Sequence, residues 1–324
     1  MSPRYPADVS DRPWQVNCYE PLLGTRVDIA IQADDPDAAH RADERARATI
    51  EQLTGVFSLY DPDSELCRWR RGELANPGDE LAGVLEQAEH WYRLGTGTFH
   101  PACAALRRHW LAAEHHQRRP NPAELQDLAN TLRPLPFRTT RRDGRVHIER
   151  VTDCGDVDLN AIAKGHIVDR AVAAARADDA VHTVVVSAGG DLRHAGHGDA
   201  VPVNVEDPHR VADNAPPIAR FPLAEAAVAT SGSTRRGFRI GSESFGHVID
   251  PRTGWPVADT MSATVRAPSA LVADAVATIA MVLAPHQGIA FVDRLPEAVA
   301  ALLVEADGTQ HVSARWPTGA GVSR

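Results

Sequence analysis

The spacing of hydrophobic and polar positions changes several times along this chain, and each change marks an element. From about Arg26 to Gln32 apolar and polar residues alternate as in a strand. The "DPDAAHRADERARATIEQLTGVFS" that follows opens on Asp-Pro and carries an apolar stripe at helical spacing. A strand and then a helix are expected. The next segment, "LYDPDSELCRWRRG", is turn-rich, and three helical stretches come after it: roughly Asp79 to Leu94, Pro101 to His116 and Pro122 to Leu132. From "RVHIER" onward strands dominate, with "VHTVVVSAGGDLRHAG", "VPVNVED", "AVATSG" and "GHVIDP" each at strand spacing. The last third predicts a strand, "SATVRAP", a long helix from Ser269 to Leu283, a shorter one near Gln287 to Arg294, and two terminal strands. "RVADNAPP", from Arg210 to Pro217, is expected to be an exposed loop.

In "DVDLNAIAKGHIVDRAV" a short buried strand is expected to run into a helix, with Asp158, Asn160, Lys164 and Gly165 forming a polar knot at the junction. Such a junction gathers free backbone N–H groups, which suit an anion such as a phosphate. Simple capping of the helix by Asp158 or Asn160 explains the knot equally well.

This mixture of elements reads as an α+β fold with a mixed, largely antiparallel sheet and packed helices, rather than a doubly wound sheet. No linker stands out, so one domain with two lobes is expected. At 324 residues, 43% of them hydrophobic, the chain can bury a real core. Its net charge of −9 means that a polyanionic ligand must be gripped by a local cationic feature or through a metal ion, and nucleic acid is not an expected partner. The longest apolar runs fall short of a membrane span and the N-terminus lacks an apolar signal core, which points to the cytoplasm. Cys18, Cys67, Cys103 and Cys154 have no paired spacing and read as reduced and structural. Histidines in stretches such as "AAEHHQRR" read as solvated surface.

Four stretches hold residues able to do chemistry. In "VVVSAGGDLRHAG" a buried strand empties into Gly189, Gly190 and Asp191. Two glycines let a backbone approach a ligand, although a Gly-Gly turn between strands accounts for them as well. No GxGxxG opens a helix there, which argues against a dinucleotide fold of the Rossmann type. "AVATSGSTRRGF" sets Thr230, Ser231 and Ser233 beside Arg235 and Arg236, a set suited to an anion or simply to a polar hairpin. Ser231 lacks the GxSxG elbow of a serine hydrolase. In "FGHVIDPRTGWPV", His247 can serve as a base or donor or be an ordinary loop histidine, and Asp250 reads as a turn-former. "SALVADAVATIAMVLA" places Asp274 and Thr278 four apart, on one face of an otherwise apolar helix. A buried acid is expensive unless it is paired or bound to a cation, and carboxylate, hydroxyl and backbone carbonyl together are ligands of the kind Mg²⁺ accepts. A cap or a salt bridge elsewhere is the alternative.

Taken in order, "DLNAIAKGHIVDRAV", "VVSAGGDLRHAG", "AVATSGSTRRGF", "GHVIDPRTGWPV" and "SATVRAPSALVADAVATIAMVL" resemble the signature blocks of the ApbE family, the FAD:protein FMN transferases. "LLGTRVDI", "FSLYDPDSEL" and "GTGTFHPACAALRRHW" resemble its N-terminal blocks more loosely, so the likeness runs from about Leu22 to near Val304. It implies an ApbE-like domain over residues 21–305, an N-terminal extension over 1–20, and a C-terminal strand and tail over 306–324. The activity implied is Mg²⁺-dependent cleavage of FAD, with FMN joined to a Thr or Ser hydroxyl of an acceptor flavoprotein and AMP released.

By the same resemblance, Asp158 and Lys164 match flavin-nucleotide-binding positions, and Gly189, Gly190, Asp191 and Ser231 join the cofactor-binding set. Ala161 matches the position whose carbonyl binds the metal, and Asp274 and Thr278 match its side-chain ligands. His247, Val248 and Ile249 match a strand along the FAD. Leu23, Gly24, Thr25, Thr98, Phe99 and His100 match looser FAD contacts. Asp274 and His247 are assigned to catalysis, His247 as the base for the acceptor hydroxyl. Three positions depart from the family pattern: His100 replaces a usual Asp, an Asn is usual near Arg70, and Met is usual at Leu23. The metal face is intact. Rival activities are hydrolysis of FAD to FMN and AMP, and FAD binding without catalysis. In the C-terminal "PTGAGVSR", Thr318 faintly resembles the heart of an acceptor site.

Overall fold

The computed structural model describes residues 13–210, 215–233, 237–296 and 298–317. In chain order the elements are β1 (Gln15–Leu22), β2 (Thr25–Ala33), α1 (Pro36–Phe57), α2 (Glu65–Arg70), α3 (Asp79–Leu94), α4 (Ala104–His115) and α5 (Pro122–Leu132). Then come β3 (Phe137–Arg142), β4 (Arg145–Arg150), α6 (Ala163–Ala175), β5 (Val181–Ala188), β6 (Asp191–Gly196), β7 (Val201–Val205) and β8 (Ala219–Leu223). β9 (Ala226–Gly232), β10 (Gly237–Ile240), β11 (Glu243–Gly246), β12 (Thr260–Ala267), α7 (Ala270–Val282), α8 (Pro285–Arg294), β13 (Ala300–Glu305) and β14 (Gln310–Val312) complete the chain.

An eight-stranded sheet in the order β1-β2-β5-β6-β9-β12-β13-β14 is antiparallel at every pairing, and the α+β class expected from the sequence holds. Alternation along each strand sorts side chains to two faces. Val27, Ile29, Val184, Val186, Ala229 and Ala263 meet the helices α1, α6 and α7. Val185, Leu192, Val228 and Leu302 pack instead on the β7–β8 hairpin through Val203 and Phe221. A satellite core of Leu106, Trp110, Leu125, Phe238 and Ile240 joins α4 and α5 to the β10–β11 hairpin.

Two tight hairpins close at the same end of the sheet. β1 and β2 turn through Leu23 and Gly24, at φ 55° and 67°; β5 and β6 turn through Gly189 and Gly190, at φ 56° and 108°. Positive φ at both central residues marks type I′ geometry, one of the two turn types whose twist matches that of the flanking strands. The Gly-Gly turn between strands is therefore the correct description of that motif. Leu23 is the unusual member, since a bulky side chain in the left-handed region is strained.

Several expectations change. The β1 strand draws residues 15–20 of the supposed extension into the sheet, a strand hidden by its polar edge face. The turn-rich segment contains α2, capped by the Ser64 hydroxyl accepting from the Cys67 N–H at 3.1 Å. No strand precedes the Asp158 junction: Val157 and Leu159 are buried, but no strand pairs with them, so their alternation reflects an extended loop in the core. The expected strand at His247–Ile249 is a bend followed by an isolated bridge from Ile249 to Pro256. α4 begins at Ala104 rather than Pro101, because the Pro101 carbonyl accepts from the Asp158 N–H at 2.7 Å and holds that residue in the loop. Part of the Arg210–Pro217 loop, together with Arg235, Arg236 and Thr318, lies outside the described residues. No described helix is long and apolar enough to cross a membrane.

Candidate active site

The site grows from the approach of α6 to α7. A Cβ on Gly165 would lie 2.3 Å from the Ala270 carbonyl oxygen, so only glycine lets the helices close to this distance. The Gly165 N–H donates to Asp274 Oδ2 at 3.3 Å. Gly165 is the third residue of α6, so its N–H has no partner within the helix and Asp274 satisfies it. The first turn closes through the His166 N–H onto the Ile162 carbonyl at 3.1 Å, and the Ala161 carbonyl, just before the helix, has no donor among the described residues. The N-cap of α6 is Ile162, with no side-chain hydrogen bond. Asp158 does not cap the helix; its Oδ1 accepts from the Asn160 N–H at 2.9 Å in a local turn.

Lys164, in the first turn of α6, donates to the carboxylate of Asp191 at the start of β6. Asp191 is 1% exposed and Asp274 7%. Burial raises the Asp191 carboxyl well above the usual range, the neighbouring Asp274 raises it further, and Lys164 opposes the shift. Two buried carboxyl groups thus lie together with one ammonium beside Asp191, so that both can be ionised in this apolar setting only if a further positive charge joins them, and otherwise a proton stays on the pair. Thr278, one turn beyond Asp274 on α7, lies with its Oγ1 3.4 Å from the Ser231 Oγ on β9. Among the described residues no group of three or more His, Cys, Asp or Glu converges on a metal position. A cation here would draw on a hydroxyl and a carbonyl besides Asp274, the hard-oxygen set that suits Mg²⁺.

The other candidates surround this group at the same end of the sheet. A Cβ on Gly189 would meet Thr25 Oγ1 at 3.0 Å, so the Leu23–Thr25 turn lies against the Gly189–Gly190 turn. Gly246 sits against Ser233, which places His247, exposed in the bend that follows, beside the β9 end carrying Ser231. Val248 packs on the main core and its carbonyl accepts from the Val257 N–H at 2.9 Å, while Ile249 joins the satellite core. Asp250 is a turn-former, with Oδ1 accepting from the Arg252 N–H at 2.9 Å.

Thr98, Phe99 and His100 are buried. Thr98 Oγ1 donates to the Gly95 carbonyl at 2.7 Å. His100 uses both ring nitrogens on backbone: Nε2 lies 2.7 Å from the Leu132 carbonyl and Nδ1 accepts from the Ala102 N–H at 3.0 Å. Burial pushes its pKa down to about 4, so the ring is neutral. Accepting from the N–H two residues on is a role that a carboxylate fills in Asx turns, and His100 therefore satisfies the turn that an Asp would.

One part of the region escaped sequence reasoning. A cavity of about 440 Å³ is lined by Leu59, Tyr60, Cys67, Arg70, Asp153 and Gly155, among others. Tyr60 is 88% exposed, and Arg70 donates to the Gly155 carbonyl. Burial raises the Asp158 carboxyl, while the Asn160 N–H and the charges of Arg107 and Arg70 pull it down, so the cavity adjoins the Asp158 junction. An exposed tyrosine inside "FSLYDPDSEL" was the signal available.

Comparison with known proteins identifies the family. The model of the ApbE family matches residues 23–303. The FAD:protein FMN transferase of Treponema pallidum is 28% identical over 314 residues, covering 91% of this chain and 86% of the relative. That of Klebsiella pneumoniae is 31% identical over 293 residues, covering 88% and 83%. The crystal structure of the ApbE protein from Thermotoga maritima superposes with a TM-score of 0.79 at 26% identity, covering 93% of this chain and 97% of the other. With the family model matching residues 23–303, nearly the whole chain, the chain belongs to the ApbE family.

Proposed function

We propose that this enzyme carries out Mg²⁺-dependent transfer of FMN from FAD to a Thr or Ser hydroxyl of an acceptor protein, releasing AMP. The observation that carries the reading is the buried Asp191–Asp274 carboxyl pair, whose charge when both ionise exceeds that of Lys164, next to an Ala161 carbonyl with no donor among the described residues. A divalent cation held by Asp274, Thr278 and the Ala161 carbonyl would balance that charge and, when bound, neutralise charge on the pyrophosphate oxygens. Relatives named FAD:protein FMN transferase support the choice of substrate.

The chain's own groups have distinct tasks. Lys164 sets a second positive charge beside the pyrophosphate. The side-chain-free Gly189–Gly190 turn and the Leu23–Thr25 turn let backbone approach FAD closely. Tyr60 offers an exposed ring on which the planar end of FAD can stack. The Thr98–His100 block fixes the loop that the Asp158 N–H joins through the Pro101 carbonyl. In the transfer, the acceptor oxygen bonds to the phosphorus of the FMN half, the bond from that phosphorus to the bridging oxygen breaks, and AMP leaves with that oxygen. His247 takes the proton of the attacking hydroxyl. The four free cysteines, Cys18 exposed among them, support a reducing compartment, and the cytoplasm is our proposed location.

Intact-mass spectrometry tests this reading. An acceptor domain with a Thr-containing flavinylation site, incubated with this protein, FAD and Mg²⁺, is expected to gain the mass of FMN, and Asp274→Ala is expected to abolish the gain. FMN and AMP released with no modified acceptor would replace the transferase with a hydrolase. FAD bound and unchanged across several acceptors would make it a binding protein.

A further inference from the structure

We propose that Asp169 is a positioning residue that holds the proposed metal face of α7 in register with Lys164. The inference rests on the function proposed above. Asp169 lies on α6, five residues beyond Lys164, yet its carboxylate accepts from the first two backbone N–H groups of α7, those of Ala270 at 2.8 Å and Leu271 at 2.9 Å. The local cap Ser269 reaches only the Val272 N–H, at 3.3 Å. The start of α7 is therefore tied to a neighbouring helix as well as to its own N-cap. The same carboxylate faces Arg193 on β6, two residues after Asp191, at 3.8 Å.

These contacts close a ring. Asp169 grips the head of α7, the Ala270 carbonyl presses on the bare Cα of Gly165, and the Gly165 N–H reaches Asp274 one turn further along α7. Lys164 meets Asp191, and β6 returns through Arg193 to Asp169. A slip of α7 along α6 is opposed at both ends of this ring, and such a slip would carry Asp274 and Thr278 away from the Ala161 carbonyl. An ordinary cap would contribute stability alone. Groups that orient metal ligands from behind alter metal affinity by tenfold or more.

The test uses the full chain, with Mn²⁺ as the probe in the presence of FAD, bound ion measured by electron paramagnetic resonance, and Tm recorded in parallel. Asp35→Ala is the control: it removes the α1 cap that accepts from the Ala38 N–H at 2.7 Å, at the end of the sheet away from the site. Asp169→Asn is expected to bind Mn²⁺ on the order of tenfold more weakly, with a Tm no lower than that of Asp35→Ala, and Asp169→Glu is expected to recover part of the affinity. Unchanged Mn²⁺ affinity in Asp169→Asn, or an equal loss in Asp35→Ala, would overturn the proposal. If Asp169→Asn does not fold, Asp169→Glu decides, and wild-type affinity there overturns it. Wild-type protein that binds no Mn²⁺ would instead sink the metal-dependent function and this inference together, an outcome distinct from the other two.

Discussion

Two buried polar groups of this protein follow opposite rules. In the Thr98–His100 block each side-chain polar atom is engaged by nearby backbone, and the one titratable group is held neutral. At the α6–α7 contact the buried Asp191, paired with Lys164, has its carboxyl raised by the neighbouring Asp274, and the Ala161 carbonyl has no donor among the described residues. The first assembly is complete as it stands, and the second is where the proposed cation would bind. Under the proposed function, the contrast separates residues that shape the site from residues that would act in it.

The strongest way to break the contrast is Asp274→Asn. Transfer is expected to fall on the order of a thousandfold, several kcal/mol of barrier, while Tm holds or rises because a buried like charge beside Asp191 is gone. Steady-state rates with calorimetry check both, and a parallel loss of Tm would mean that the charge surplus is not a functional strain. Next is Lys164→Met, which leaves Asp191 against Asp274 with no ammonium; about 4 kcal/mol of stability should be lost by urea denaturation. The loss should shrink at lower pH, where Asp191, already raised, takes up a proton.

On the other side of the contrast, His100 should make itself felt only through acid. Its folded pKa is about 4 against an ordinary 6.5, so between these values the unfolded chain binds a proton that the folded chain does not. Stability is then complete above 6.5 and declines as pH falls toward 4, by about 3 kcal/mol over the window. Denaturation curves for His100→Asn should show a flatter pH dependence there, and an unchanged slope would refute the assignment. The smallest effect is expected from Gly165→Ala, whose methyl would push α6 off the Ala270 carbonyl; about 2 kcal/mol of stability should be lost along with part of the transfer rate.

How much of this was legible in the sequence depended on the kind of information each residue carries. The apolar helix around Asp274 and Thr278 announced itself, since an acid in "ADAVATIAMV" has few benign explanations. Asp79–Leu94 and Pro122–Leu132 were readable to the residue from their periodicity and start signals. The strand expected at Val157–Leu159 was not there, because burial in a loop and burial in a sheet leave the same alternating trace. The roles of Gly165 and Asp169 were invisible for another reason: both depend on what α7 brings to α6 from more than a hundred residues away. The Tyr60 cavity was missed because a turn-rich segment offers no period from which to argue.

The span of chain that the site draws upon has a consequence for how the protein assembles. Lys164 and Asp191 are 27 residues apart and form an ion pair on their own, whereas Asp274 comes from a helix made much later. The electrostatic burden of the site therefore falls on one late event, the docking of α7. If the proposed cation recognises only the finished site, it is linked by mass action to that docking, and ion supply would then bear on how much of the enzyme is fully folded as well as on how fast it works.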